Sequence, residues 1–516
     1  MYSPDIPSDF LHDESRLTGS AEAVAFPRTT EEVRNAVRQA AGRPVTIQGA
    51  RTGISGGAVP DGGLIISLAR MTRILSPVTL TPDGQYAVTA QPGVLLSELR
   101  NFLKTQDKCS TRHVTSENTE HIGKDPDTHP PLIFAPDPTE TSASIGGITA
   151  CNASGACSFA YGAARRHVIG LSVVLADGDT VHLKRGVQHA SDRMFTLKTD
   201  SGKTISGMLP SYTAPNVKTA AGYSVKPGMD IIDLFIGSEG TLGIITGIEL
   251  LLLPAPEMIT GIICFFDAEE KALNFVYEIR QHSSENYAQL NAIEYFDAGS
   301  LSLMQESTDK TGLLLPKFQD HWKNAVYIEW THRKNCDRRH FALTSQILTK
   351  CGASAADTWL SADSTGIKRM KDLRHCVPEQ INFIISERKK NCSELTKLGT
   401  DLSVPDSRLK DVLHLYRHDL TCANLEYVIF GHIGNNHLHV NIIPRNMKEY
   451  ETGRKLYRRW AEQVARWGGS VSAEHGIGRL KKDMLAVMYG AEHIQEMKAL
   501  KSLFDPELRL NPGRLF

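Results

Sequence analysis

Three glycine-rich blocks constrain this 516-residue chain more than any other feature. The first, GARTGISGG, spans Gly49 to Gly57 and follows a strand-like run from Pro44 to Ile47. Glycine lets backbone N–H groups approach a ligand closely and tolerates positive φ, as a pyrophosphate site requires. The spacing is not G-x-G-x-x-G opening a helix, and no G-K-[ST] follows, so neither a Rossmann fingerprint nor a P-loop is present. Taken alone, this block also reads as a tight turn between strands. The second block, Pro136 to Gly170, sets Gly146, Gly147, Asn152, Gly155 and Gly162 among small residues. The third, GSEGTLG from Gly237 to Gly243, runs into an apolar stretch ending at Pro254. Loops of small residues pack poorly as core. Three of them in one region imply a large, extended ligand such as a dinucleotide.

Between the blocks the element signals are local. Thr29 followed by Glu32 is a capping box and predicts a helix to about Ala41. The runs from Gly62 to Leu68 and from Tyr86 to Ala90 predict strands, as does LSVVLADG from Leu171. Leu95 to Leu103 predicts a helix. The polar stretch from Gln106 to Pro131 reads as a long loop, either a lid or solvent-exposed, with His113, His121 and His129 on the surface. Pro254 and Pro256 mark a domain boundary. Beyond them, roughly residues 257 to 460 mix helices and strands without glycine blocks.

Composition narrows the function classes. The formal charge of −1 gives no basic field for nucleic acid. Nine cysteines without a C-x-x-C disfavour a built-in iron–sulfur cluster or four-cysteine zinc site. Free thiols fit a reducing compartment. The start, MYSPDIPSDF, lacks a signal-peptide pattern, and the apolar run from Ile248 to Leu253 is too short to span a bilayer. A cytoplasmic protein is expected, with peripheral membrane association left open.

A second chemical signal lies near the C-terminal end. Read as a strand, HLHVNI puts His437, His439 and Asn441 on one face and Leu438, Val440 and Ile442 on the other. His432 precedes this strand across a short turn, and Glu474 and His475 sit in SAEHGIG among small residues. Two histidines and a carboxylate form a frequent zinc or manganese set with a position open to substrate. Satisfied core histidines are the competing reading. Alternation does not choose between His437 and His439.

The order PVTIQGARTGISGGAVP, PDPTETSASIGGITACNASG, YGAARRHVIGLSVVLADG, KTAAGY and GSEGTLGIIT resembles the FAD-binding domain of the vanillyl-alcohol oxidase/PCMH superfamily. With GHIGNNHLHVNI, SAEHGIG and FDPELRLNPGRLF, the chain resembles the FAD-linked 2-hydroxy-acid dehydrogenases: D-lactate dehydrogenase, the glycolate oxidase FAD subunit and D-2-hydroxyglutarate dehydrogenase. The resemblance implies an α+β fold in two lobes. A PCMH-type FAD-binding domain would cover residues 1–255, a substrate cap 256–460, and a segment returning to the FAD lobe 461–516. It implies an FAD cradle of Gly49, Arg51, Thr52, Gly53, Ser55, Pro136, Gly146, Gly147, Asn152, Gly155, Gly240, Ile245 and Asn511. The first loop has no histidine, and neither Cys151 nor Cys157 replaces one, so the FAD is expected to be non-covalent.

The same resemblance places a divalent metal, Zn or Mn, on His432, His439 and Glu474, and the catalytic base on His475. Arg374, in KDLRHCVPEQ, matches the arginine that holds the substrate carboxylate; Lys397 is a weaker candidate because its register is offset. Where the family reads G-H-I-G-D-G-N-L-H, this chain has Asn435, Asn436 and His437. His437 adds a ligand, tunes the site or fills the asparagine's place. The implied reaction is hydride transfer from a small D-2-hydroxy acid to flavin, with D-lactate ahead of glycolate and D-2-hydroxyglutarate. Electrons would leave to a quinone, a cytochrome, an electron-transfer flavoprotein or an iron–sulfur subunit, and a homodimer stays open. Two alternatives stand beside it. One is a transferase like alkyl-dihydroxyacetone-phosphate synthase, whose histidine run in the cap is not found here. The other is the FAD subunit of a larger complex; a non-catalytic role there sits poorly with both Glu474 and His475.

Overall fold

The computed structural model describes residues 2–40, 42–106, 130–311, 318–334 and 338–516. The polar stretch carrying His113, His121 and His129 lies outside them. Helices and strands mix along the chain, giving the expected α+β fold, and the described strands form three principal sheets.

The first sheet holds Ala23–Ala25, Leu64–Ser67 and Val45–Gln48 in parallel pairing. All four residues of Leu64–Ser67 are buried, so this strand reads as an unbroken apolar run and not as an alternation. The helix Thr30–Gln39 packs Val33 and Val37 against Val45, Leu64 and Ile66. Its start is capped from both sides: Glu32 N donates to Thr29 Oγ1 at 3.2 Å, and Glu32 Oε2 reaches past the N-cap to accept from Arg28 N at 2.7 Å. In the second sheet Ile244–Pro254 lies between Tyr86–Ala90 and Val168–Val174, antiparallel to both. The third glycine block therefore ends at the head of a central strand, which holds its turn rigidly over the lobe.

The third sheet runs in the order Thr358–Ser361, Met258–Phe266, Asn324–His332, Ala288–Phe296, Tyr427–Gly431, His437–Ile442, Leu398–Gly399. Its last long hairpin, closed by Ile433–Asn435, carries the clustered histidines. One face is covered by helices Ala298–Thr311 and Ser364–Lys389, through Ile263, Phe296, Met370, Leu373 and Val377. The second helix contains Arg374 and continues through Pro378. The other face joins an apolar core that extends without a break from Val88 to Leu515. The hairpin is thereby held firmly against the glycine-rich region. Among the described residues, no helix is long and apolar enough to cross a membrane.

Candidate active site: a glycine-lined cavity against a histidine–carboxylate cluster

A cavity of about 350 Å³ lies where the three glycine blocks converge. Gly49, Arg51, Thr52, Gly53 and Ser55 line it from the first block, Gly146 and Gly147 from the second, Gly240 and Ile245 from the third, and Asn511 from the C-terminal segment. Asn511 ties two blocks together: its Oδ1 accepts from Ile47 N at 2.8 Å and its Nδ2 donates to Glu239 O at 2.6 Å. A Cβ at Gly240 would come within 2.7 Å of that amide.

Three expected cradle residues are placed otherwise. Pro136, Asn152 and Gly155 do not line the cavity. A Cβ on Gly155 would lie 1.6 Å from Asp137 O, so this glycine serves chain-to-chain packing beside the buried Pro136. Asn152 braces the loop instead, accepting from Arg165 N at 3.0 Å and donating to Thr219 O at 3.4 Å. Pro138, Thr139 and Ser144 face the cavity from this block.

The lining fits a dinucleotide on two observations. Gly53 lines the cavity, and a Cβ there would meet no protein atom within 4 Å. Ser154 Oγ, on the cavity wall, is buried without a hydrogen-bond partner, a cost that a polar ligand removes.

Glu474 and His475 line the same cavity; Glu474 belongs also to the histidine cluster beside it, and the His475 ring stacks on that of His439 at a centroid distance of 5.6 Å. Among the described residues, His432, His437, His439 and Glu474 each offer a ligand atom, all within 4.8 Å of one another. His432 Nδ1 lies 2.6 Å from Glu294 Oε1, and its Nε2 is 3.3 Å from Glu474 Oε2. His439 Nδ1 donates to Thr400 O at 3.0 Å, with Nε2 3.4 Å from Glu474 Oε1. Each ring thus has one nitrogen fixed by a protein acceptor and the other turned to the shared carboxylate. This is the arrangement that metal-binding histidines adopt. Imidazole and carboxylate donors suit a divalent ion such as Zn²⁺ or Mn²⁺.

His475 is set by Asp401. Asp401 Oδ2 accepts from Lys481 Nζ at 2.6 Å, Ser472 Oγ at 2.7 Å and His475 N at 3.1 Å, and lies 3.4 Å from His475 Nδ1. Ser55 Oγ donates to His475 O at 3.1 Å, which ties the first glycine loop to the same turn. Glu239 accepts from Ile477 N at 2.7 Å and Gly478 N at 2.8 Å, joining the third block to it.

Electrostatics follow from this crowding. Burial pushes the Glu474 carboxyl up, but Lys218, His432 and His437 together hold it well below the usual range. Asp401 behaves alike: burial raises it, and His475, Lys481 and His437 outweigh burial. Glu294 falls to about 2, because His432 and Arg374 overcome its burial. All three carboxylates therefore stay anionic. Burial lowers His432, and Glu294 with Glu474 reverses this and raises it.

Arg374 reaches the cluster through Glu294, with Nη1 3.4 Å from Oε2. Lys397 does not join it. No hydrogen bond or ion pair connects Lys397 to the cluster, and burial followed by the charge of Arg16 lowers its pKa. Three site residues went unread in the sequence: Glu294, Asp401 and Lys218, whose Nζ donates to Glu474 Oε2 at 2.7 Å. The available signals were an acid inside the apolar strand Ala288–Phe296 and the lysine of KTAAGY.

A dinucleotide cavity sharing a wall with a histidine–carboxylate cluster defines a flavin-type oxidoreductase. The chain belongs to the FAD-linked oxidases: residues 255–515 match the model described as FAD linked oxidases, C-terminal domain, and residues 21–123 and 131–184 match the FAD binding domain. It is an FAD-linked oxidoreductase. It is 29% identical to the D-lactate dehydrogenase of Anaerostipes hadrus, over 100% of this chain and 94% of that one. It is 26% identical to glycolate oxidase subunit GlcD of Bacillus subtilis (strain 168), over 96% of this chain and 89% of that one. The mitochondrial D-2-hydroxyglutarate dehydrogenase of Danio rerio is 24% identical over 96% of this chain and 78% of its own length. A solved alkyldihydroxyacetonephosphate synthase shares the fold, with a TM-score of 0.62 at 17% identity, over 96% of this chain and 77% of that one.

Proposed function

We propose that this protein oxidises a small D-2-hydroxy acid, D-lactate foremost, to the 2-oxo acid, using non-covalent FAD and a divalent metal ion. One observation carries the reading. Glu474 lies on the wall of the cofactor cavity and inside the histidine cluster at once, with His475 next to it on the same wall, so base, ligand and flavin space meet at one turn. The names of the relatives supply the substrate class. FAD, held by the three glycine blocks and Asn511, supplies the hydride acceptor. A divalent ion on His432, His439 and Glu474 supplies Lewis acidity toward the substrate hydroxyl.

The chain's own residues do the rest. Arg374 orients the substrate carboxylate with the edge of its guanidinium not engaged by Glu294. His475 takes the hydroxyl proton at Nε2, while Asp401 faces Nδ1 and fixes the ring. Glu294 fixes His432 in the same way. An external acceptor completes turnover.

The test is an anaerobic panel of D- and L-2-hydroxy acids scored by loss of flavin absorbance. D-lactate or a close D-analogue should bleach the flavin, and acid precipitation should release it into the supernatant. A flavin that no D-hydroxy acid bleaches would sink the reading and favour the redox-neutral transferase. Colour that stays with the pellet would show a covalent bond.

A further inference from the structure

We propose that His437 is a fourth protein ligand of the cation site, so that the ion sits among three imidazoles and one carboxylate. The inference rests on the metal-assisted reading above and concerns a residue that the family pattern leaves outside the ligand set.

His437 is fully buried, and its Nδ1 has no hydrogen-bond partner. Burying an imidazole nitrogen unpartnered costs free energy that a ligand offsets. Its surroundings repeat the plan of the two neighbouring histidines. Nε2 lies 3.0 Å from Asp401 Oδ1, and Nδ1 faces Glu474 Oε2 at 3.9 Å. In His432 the acceptor is Glu294, in His439 it is Thr400 O, and in His437 it is Asp401. All three rings therefore turn one nitrogen to an anionic or carbonyl oxygen and the other toward Glu474.

The rings are also close enough to share an ion. The His437 centroid is 4.4 Å from that of His439 and 5.3 Å from that of His432. Its ligand atom belongs to the group within 4.8 Å. Strand geometry explains how a second histidine gained entry. His437 and His439 share one face of His437–Ile442, and the left-handed residue Asn436, at φ 52°, turns His437 inward at the strand's first position.

Two consequences follow. Three imidazoles favour nitrogen-binding ions such as Zn²⁺ and Co²⁺ over Mn²⁺. Four protein ligands fill a tetrahedron, so substrate can join only by expanding the coordination shell.

The experiment titrates metal-free, FAD-loaded protein with Co²⁺ alone against a competing chelator. X-ray absorption at the cobalt edge of wild type should count three imidazoles. His437→Asn, which installs the family's residue, should keep its FAD and weaken Co²⁺ binding by more than about 100-fold, beyond the range for a residue that only braces a ligand. Two imidazoles in wild type, or a weakening within about 100-fold, would overturn the assignment and leave the metal-assisted reading intact. Wild type that takes up no Co²⁺ would overturn both. The wild-type measurement decides the question even if the variant does not fold.

Discussion

Asp401 contributes no atom to the cavity wall, yet it organises the turn that carries both Glu474 and His475. Its two oxygens receive the backbone N–H of each residue, at 3.2 Å and 3.1 Å, besides Lys481 and Ser472. His475 thus approaches the flavin space on a fixed backbone, as a general base must. His475→Asn should lower the rate of flavin reduction by roughly 10² to 10⁴ at unchanged FAD content, measured by anaerobic stopped flow. A rate within a few-fold of wild type would remove His475 from the role. Glu294 is a sharper test of the cluster, because it touches no proposed substrate atom. Its carboxyl, held at about 2 by His432 and Arg374, stays charged at any working pH. Glu294→Gln keeps the shape and loses the charge facing His432 Nδ1, so metal affinity should fall by about 10 to 100-fold. Equal metal content per FAD under chelator competition would show that Glu294 serves Arg374 alone. His432, the pair His437 and His439, and Glu474 were legible because each stands in a short local pattern; only the family resemblance singled out His439. Glu294, Asp401 and Lys218 were not. Each is brought in by pairing or packing across long stretches of sequence, such as the separation of 256 positions from Lys218 to Glu474, and no local periodicity records that.

At the scale of elements, the glycines divide into two kinds that sequence alone does not separate. A Cβ on Gly146 would lie 2.5 Å from Pro92 Cβ and 2.9 Å from Pro92 O, where the short helix Ile145–Ala150 abuts the preceding loop. A Cβ on Gly53, which lines the cavity, would touch no protein atom within 4 Å. Gly146→Ala should therefore destabilise even the FAD-free protein, by about 1–3 kcal/mol of overpacking. Gly53→Ala should leave the FAD-free melting temperature alone and weaken FAD binding. Thermal melts with and without FAD distinguish the two; matching behaviour in both variants would contradict the assignment. The element boundaries themselves were largely legible. The capping box at Thr29, the strand Tyr86–Ala90 and the strand His437–Ile442 all form where their residue patterns put them. The long helix Ser364–Lys389 was only partly read. Pro378 lies well inside it, and a proline is normally taken to end a helix.

On the scale of the whole molecule, the cofactor cavity and the histidine cluster come from distant parts of the chain and meet at one turn. The proposed metal can therefore be removed without dismantling the glycine cradle. Dialysis against a chelator should abolish reduction by substrate while the yellow colour remains, and Zn²⁺ or Mn²⁺ should restore it. Full activity after exhaustive chelation would end the metal-assisted reading. The bond from Ile47 N to Asn511 Oδ1 has a further consequence, because its partners are 464 residues apart. At about 5–20 residues per second, ribosomes need roughly 20 to 90 s to make that intervening chain. Throughout that interval the first glycine loop exists without the amide that closes it. Closure of this wall of the cradle is thus a late event in the synthesis of each molecule. A chain halted before Asn511 would carry most of the cradle into the cell with its last wall missing.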